Sequence, residues 1–101
     1  MPDDPMAGEE TEQAIRVRVT GRVQGVGFRA HAARSARELG LVGRVRNEPD
    51  GSVELRARGP RRDLDRLLEA VRTGPPASRV ERVEEHPLVD APAWDAFQVE
   101  H

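Results

Sequence analysis

The sequence predicts an α+β sandwich, with two helices lying on one face of an antiparallel sheet of four strands plus a short fifth. Three observations predict it. Apolar residues alternate singly with polar ones in separate short runs, as half-buried strands require. Two intervening stretches space their apolar residues at helical intervals instead. Glycine or proline punctuates the junctions between these segments.

The first strand covers 14–20, where Ile15, Val17 and Val19 alternate with Arg16, Arg18 and Thr20. A helix is expected over 28–39, with Phe28, Ala32, Ala36 and Leu39 on one side and Gly40 suited to the position just past its end. A second strand follows over 41–47. Glu48-Pro49-Asp50-Gly51 has turn chemistry, and Val53, Leu55 and Ala57 alternate through a third strand over 52–58, making a hairpin. Pro60 can open the next helix, whose apolar face is Leu64, Leu67, Leu68 and Val71 and which ends near Gly74. Pro75-Pro76 breaks the pattern. A fourth strand is expected over 78–85 through Val80 and Val83, and a short last one around Phe97 and Val99. The order β-α-β-β-α-β is that of the split βαβ, ferredoxin-like sandwich.

The chain has 101 residues, enough for one core. Positions 1–13 carry five acidic residues, no arginine and two prolines, so they are expected to form a flexible acidic tail before one domain over 14–101. The formal net charge of −2 therefore conceals a positive remainder. All 16 basic residues are arginine, so no lysine is present to form a Schiff base. Absence of cysteine excludes disulfides and thiolate metal sites. No long apolar run or signal-peptide pattern is present, and a soluble, cytoplasmic, monomeric protein is expected.

The stretch between the first strand and the first helix carries the chemistry. It reads Gly21-Arg22-Val23-Gln24-Gly25-Val26-Gly27-Phe28-Arg29. A glycine-rich turn that opens a helix directs backbone N–H groups at one spot, beside the positive end of the helix dipole. Such a concavity suits an anion, most often a phosphate. The helix start has no Ser, Thr, Asp or Asn to cap those amides. Arg29, in the first turn, can add a planar bidentate fork. The candidate phosphate-binding set is thus Arg22, Val23, Gln24, Gly25, Val26, Gly27, Phe28 and Arg29, with a solvent-facing role open for Arg22. The spacing fits neither a Walker loop nor G-x-G-x-x-G. The bland alternative is a connection whose glycines serve only positive φ.

Topology adds a second group. The first and second strands run the same way with another strand between them, so their C-terminal ends share one edge of the sheet. That edge receives both the glycine loop and Asn47. Asn47 has an ordinary explanation, since Asn beside a turn bonds locally. Beside an anion site, its amide can instead hold a water poised at phosphorus. Arg29 and Asn47 are therefore the candidate catalytic pair.

What is missing narrows the chemistry. His31, His86 and His101 have no partner at a spacing suited to acid–base work and are expected at the surface. No His, Asp or Glu cluster has metal-ligand spacing, and no cofactor is expected. An enzyme lacking a general acid needs a leaving group that departs unprotonated. A carboxylate, with a pKa of about 4, qualifies and an ordinary alcohol does not. Acyl phosphates fit, because positioning and electrostatics can carry most of phosphoryl transfer.

Gly21 to Arg29, followed by Gly40-Leu-Val-Gly-Arg-Val-Arg-Asn47 and Asp50-Gly-Ser-Val-Glu54, resembles the acylphosphatase family. Gly74-Pro75, Ala77, Val80, Val83 and Phe97-Gln-Val99 extend the resemblance, which spans Ile15 to Val99. It implies that the loop amides and Arg29 hold the phosphate while Asn47 orients the attacking water. It also implies a metal-free and cofactor-free hydrolase that releases a carboxylate and inorganic phosphate. The chain departs from the family pattern in three places: Arg44 where tryptophan is usual, Ala30-His31 where an aromatic is common, and Glu100-His101 where a basic residue is frequent.

The competing expectation is a non-catalytic module on the same frame that binds an anion or a nucleic acid. Arg16, Arg18, Arg44, Arg46, Arg56 and Arg58 would line the sheet face away from the helices. RNA-binding sheets of this topology stack bases on aromatics, however, and the first and third strands have none. No nucleic-acid partner is expected.

Overall fold

In a computed structural model, which describes residues 11–101, seven elements form in the expected order. They are β1 (Glu12–Arg22), α1 (Phe28–Glu38), β2 (Val42–Asn47), β3 (Val53–Pro60), α2 (Arg61–Thr73), β4 (Arg79–Pro87) and β5 (Phe97–Val99). The sheet order is β4-β1-β3-β2-β5, and both helices pack against it. The tail expected over 1–13 lies mostly outside the described residues. Glu12 and Gln13 nonetheless belong to β1, where they pair with Pro60 and Gly59, so the strand starts two positions earlier than its alternation predicts. Backbone pairing to a neighbour needs no apolar side chain, and the pattern is silent about it.

The expectation of an antiparallel sheet is corrected. The sheet is mixed and not antiparallel, because β5 runs parallel to β2, with Gly43 opposite Phe97 and Val45 opposite Val99. The remaining ladders, β1 with β3 and β4 and β2 with β3, are antiparallel. The segment between β4 and β5 carries the chain from one edge of the sheet to the other, so β5 enters the far edge in the same sense as β2.

Alternation decides which face is covered. Ile15, Val17 and Val19 of β1, Val45 of β2, and Val53, Leu55 and Ala57 of β3 are buried beneath the helices. Leu64, Leu67, Leu68 and Val71 of α2 close over them, with Phe28, Ala32, Ala33 and Ala36 of α1. A fully buried Val, Leu or Phe is worth ~1.5–3 kcal/mol against exposure, so this layer dominates the fold. His31 is half-buried, not at the surface as expected. Its Nε2 lies 3.1 Å from the Ala70 carbonyl and ties α1 to α2.

The opposite face carries the arginines, and they are paired. Glu54, 9 % exposed, sits among Arg16 at 3.8 Å, Arg46 at 3.7 Å and Arg56 at 2.9 Å. Arg18 pairs with Asp50, and Arg44 with Glu100 at 2.9 Å. Arg58 donates to the Ala91 carbonyl at 3.0 Å and stacks 5.5 Å from the Trp94 ring. Among the described residues, no helix is long and apolar enough to cross a membrane.

Candidate active site

The β1–α1 loop is held at both ends by buried apolar side chains, Val23 and Phe28, each 1 % exposed. Between them Gly25 has φ 73° and Gly27 has φ 79°, left-handed values that favour glycine. A Cβ at either position would meet nothing within 4 Å, so backbone conformation and not crowding calls for glycine there. Gly27 is the N-cap of α1 and offers no side chain to its amides. The first intrahelical bond runs from the His31 amide to the Gly27 carbonyl at 3.1 Å. The amides of Phe28, Arg29 and Ala30 therefore have no partner within the helix.

These groups border a cleft of about 190 Å³ lined by the loop residues Val23, Gly25 and Gly27, the helix start Phe28, Arg29 and Ala30, the β2 end Asn47, and Val99 and His101. The strand logic brings the pieces together. β1 and β2 both run antiparallel to β3 between them, and β5 runs parallel to β2. The C-terminal ends of all three therefore reach the same rim.

Arg29 is half-buried, and its Nη1 donates to the Glu100 carbonyl at 2.6 Å. That bond uses one of five guanidinium N–H groups and leaves the others for an anion. Asn47 shares the helix-facing side of β2 with buried Val45. Its Oδ1 is buried and accepts no hydrogen bond from any described residue. An orphaned buried acceptor costs ~1–3 kcal/mol, so this oxygen calls for a donor from the cleft. Among the described residues there is no group of three or more His, Asp or Glu side chains able to hold a metal ion.

The remaining sequence candidates occupy other places. Arg22 is exposed at the end of β1, and neither it nor Val26 lines the cleft. The Gln24 side chain turns away from the cleft: its Nε2 donates to the Glu48 carbonyl at 2.8 Å and to the Ser52 carbonyl at 2.9 Å. It thereby clamps the loop onto the β2–β3 turn and sets the distance between the loop amides and Asn47. Ala30, Val99 and His101 escaped sequence reasoning. The signal for Val99 and His101 is the direction of β5, which a three-residue strand does not reveal.

Asp50 locks the turn that follows Asn47. Its Oδ1 accepts from the Ser52 amide at 2.9 Å and the Ser52 hydroxyl at 2.6 Å, and Arg18 pairs with its other oxygen. The Ser52 bonds, then the Arg18 guanidinium, hold this carboxyl well below the usual carboxylate range. A depressed folded pKa stabilises the fold above the unfolded value of ~3.9, and the contribution is lost as pH falls below it. Asp50→Asn is expected to lower Tm at neutral pH, and the gap from the parent protein should close as pH drops below about 4. Thermal melts of both proteins between neutral and acid pH check it; a gap that stays constant with pH would remove Asp50 from the acid response.

Comparison with known proteins supplies the family. The family model described as Acylphosphatase matches residues 15–99. An acylphosphatase of Salinibacter ruber is 51% identical over 89 residues, covering 88% of this chain and 94% of that protein. A solved acylphosphatase from Coxiella burnetii superposes with a TM-score of 0.84 at 39% identity, covering 91% of this chain and 96% of the other. One from Bacillus subtilis gives the same TM-score of 0.84 at 35% identity, covering 90% of this chain and 100% of that one. With a matched model over nearly its whole folded length and relatives of this identity, the chain belongs to the acylphosphatase family.

Proposed function

We propose that the cleft hydrolyses acyl phosphates, with the loop amides and Arg29 gripping the phosphate and Asn47 orienting the attacking water. The observation that carries this division of labour is the convergence of uncapped helix amides, a guanidinium with uncommitted donors, and an orphaned amide oxygen on one small cleft. The phosphate oxygens lie against the amides and the guanidinium, which neutralise charge and complete a preorganised anion hole. A water donates to Asn47 Oδ1, which turns an oxygen lone pair toward phosphorus. The water oxygen bonds to phosphorus as the P–O bond to the acyl group breaks, the carboxylate leaves with the electron pair, and one proton of the water passes to a phosphate oxygen, giving dihydrogen phosphate. The carboxylate's conjugate acid has a pKa of about 4, so no proton needs to be supplied to it. In a loose phosphoryl transition state the water gains little positive charge before the bond forms, so no strong base is needed either.

The proposal extends to a monomeric, cofactor-free enzyme in a cytoplasmic setting. The cleft is complete within one chain, which supports the monomer, and a small dianion does not cross a bilayer unaided. It also includes no nucleic-acid partner. The sheet-face arginines are engaged by Glu54, Asp50, Glu100 and Trp94, which leaves little free positive charge for a phosphate backbone.

The test is hydrolysis of benzoyl phosphate by the purified protein in EDTA, beside an alkyl phosphate monoester. Turnover of the acyl phosphate alone, unchanged by the chelator, is expected. Absence of turnover from folded protein would leave an anion-binding module on this frame.

A further inference from the structure

We propose that the Arg44–Glu100 ion pair is a positioning device for Arg29: it fixes the chain just beyond β5, so that the Glu100 carbonyl holds the Arg29 guanidinium at the phosphate position. This rests on the phosphate-binding role proposed above for Arg29.

Glu100 acts on both sides of the sheet. Its amide donates to the Val45 carbonyl at 2.8 Å and prolongs the parallel ladder past Val99. Its carbonyl accepts from Arg29 Nη1 at 2.6 Å, on the side of the helices. Its carboxylate lies on the other face, where Oε1 accepts from Arg44 Nη1 at 2.9 Å. Arg44 alternates with buried Val45 along β2, which puts it on that open face. Arg46 stands farther off, 3.9 Å from Glu100 Oε2, and has a nearer partner in Glu48 at 2.7 Å. Arg44 is thus the main hold.

The strand needs such a hold. β5 has three residues and a single neighbour, so its end would fray first and carry the Glu100 carbonyl away from Arg29. Phe97 anchors its start, buried at 2 % exposure and with its carbonyl accepting from Arg37 Nε at 2.9 Å. The ion pair anchors its end. A carbonyl is also the right acceptor for the task. It orients the guanidinium without a countercharge that would compete with phosphate, while Arg44 keeps the Glu100 carboxylate on the far face of the sheet.

Arg44→Met and Glu100→Gln test the device, each measured for kcat and KM with benzoyl phosphate, for competitive inhibition by inorganic phosphate, and for Tm. Both are expected to raise KM and the phosphate Ki together by about two- to tenfold, the range for releasing one rotamer-rich side chain. Because the released guanidinium still reaches the bound phosphate, kcat should change less than about twofold. The double variant should be no worse than either single one, as expected for two residues acting as one unit. Arg16→Met, which removes a charge from the same face without touching Glu100, should leave KM and Ki unchanged. The positioning role falls if the two variants keep normal KM and Ki, even with lowered Tm, or if Arg16→Met raises both equally. If the unsubstituted protein fails to hydrolyse benzoyl phosphate, the acyl phosphate assignment falls first and the positioning role with it.

Discussion

Replacement of Arg29 by alanine should lower kcat/KM for an acyl phosphate by about 10²–10³ or more, the loss seen when one preorganised transition-state donor is removed. The loop amides remain in the variant, so some anion affinity should persist. What disappears is the one arginine among the described residues that line the cleft. Arg29→Lys is the sharper experiment. It keeps the charge and removes the planar fork, and a compact ammonium cannot donate to the Glu100 carbonyl and at the same time offer two phosphate oxygens a planar bidentate pair of donors. Lysine should therefore recover little of the lost activity. Steady-state kinetics with benzoyl phosphate, together with the phosphate Ki, measures both variants. Recovery to within a few-fold of the parent by lysine would mean that charge alone suffices and that the fork geometry has no part in catalysis.

Much of this site is readable in the sequence because a few strong rules determine it. Single alternation at Ile15, Val17 and Val19, and helical spacing at Leu64, Leu67, Leu68 and Val71, specify which faces are buried. A strand–helix–strand connection then forces β1 and β2 parallel, which delivers Arg29 and Asn47 to one rim without any knowledge of distance. The misses have a common physical origin in contacts between side chains and backbone far apart in the chain. Gln24 reads as part of the anion cradle through its backbone amide, and nothing in the sequence shows that its side-chain amide bonds two carbonyls of the β2–β3 turn. No local pattern announces such a bond. The direction of β5 is equally hidden, since three residues cannot show whether they pair parallel or antiparallel. With that direction hidden, nothing in the sequence places Val99 and His101 at the cleft. The arginine stripe was readable as a face but not as a paired face. Its neutralisation depends on Glu54 and Asp50 from β3 and its turn, and on Glu100 from the far edge of the sheet. Two departures from the family pattern, Arg44 and Glu100, thus prove to be partners in one contact.

Asn47→Ala should separate the two halves of the proposed machinery. The expected result is a loss of about 10²–10³ in kcat, comparable to removal of a preorganised transition-state group, with KM and the phosphate Ki nearly unchanged. The separation follows from where the residue's bonds go. Arg29 and the loop amides grip the phosphate in substrate and transition state alike, whereas Asn47 has no assigned contact with the anion and serves only the water. Stability gives an independent check, because the Asn47 Oδ1 has no hydrogen-bond partner among the described residues. Removing an unsatisfied buried acceptor should leave Tm unchanged or slightly raised, unlike removal of a structural turn residue. Were Asn47 merely a turn former, as its position before Glu48-Pro49 allows, the opposite pattern would hold: lowered Tm and ordinary turnover. Asn47→Asp closes the remaining gap. The carboxylate can still accept from a water, but it sets a negative charge opposite the incoming phosphate dianion, so KM should rise as well as kcat fall. A normal KM in Asn47→Asp would place residue 47 too far from the phosphate to hold its nucleophile.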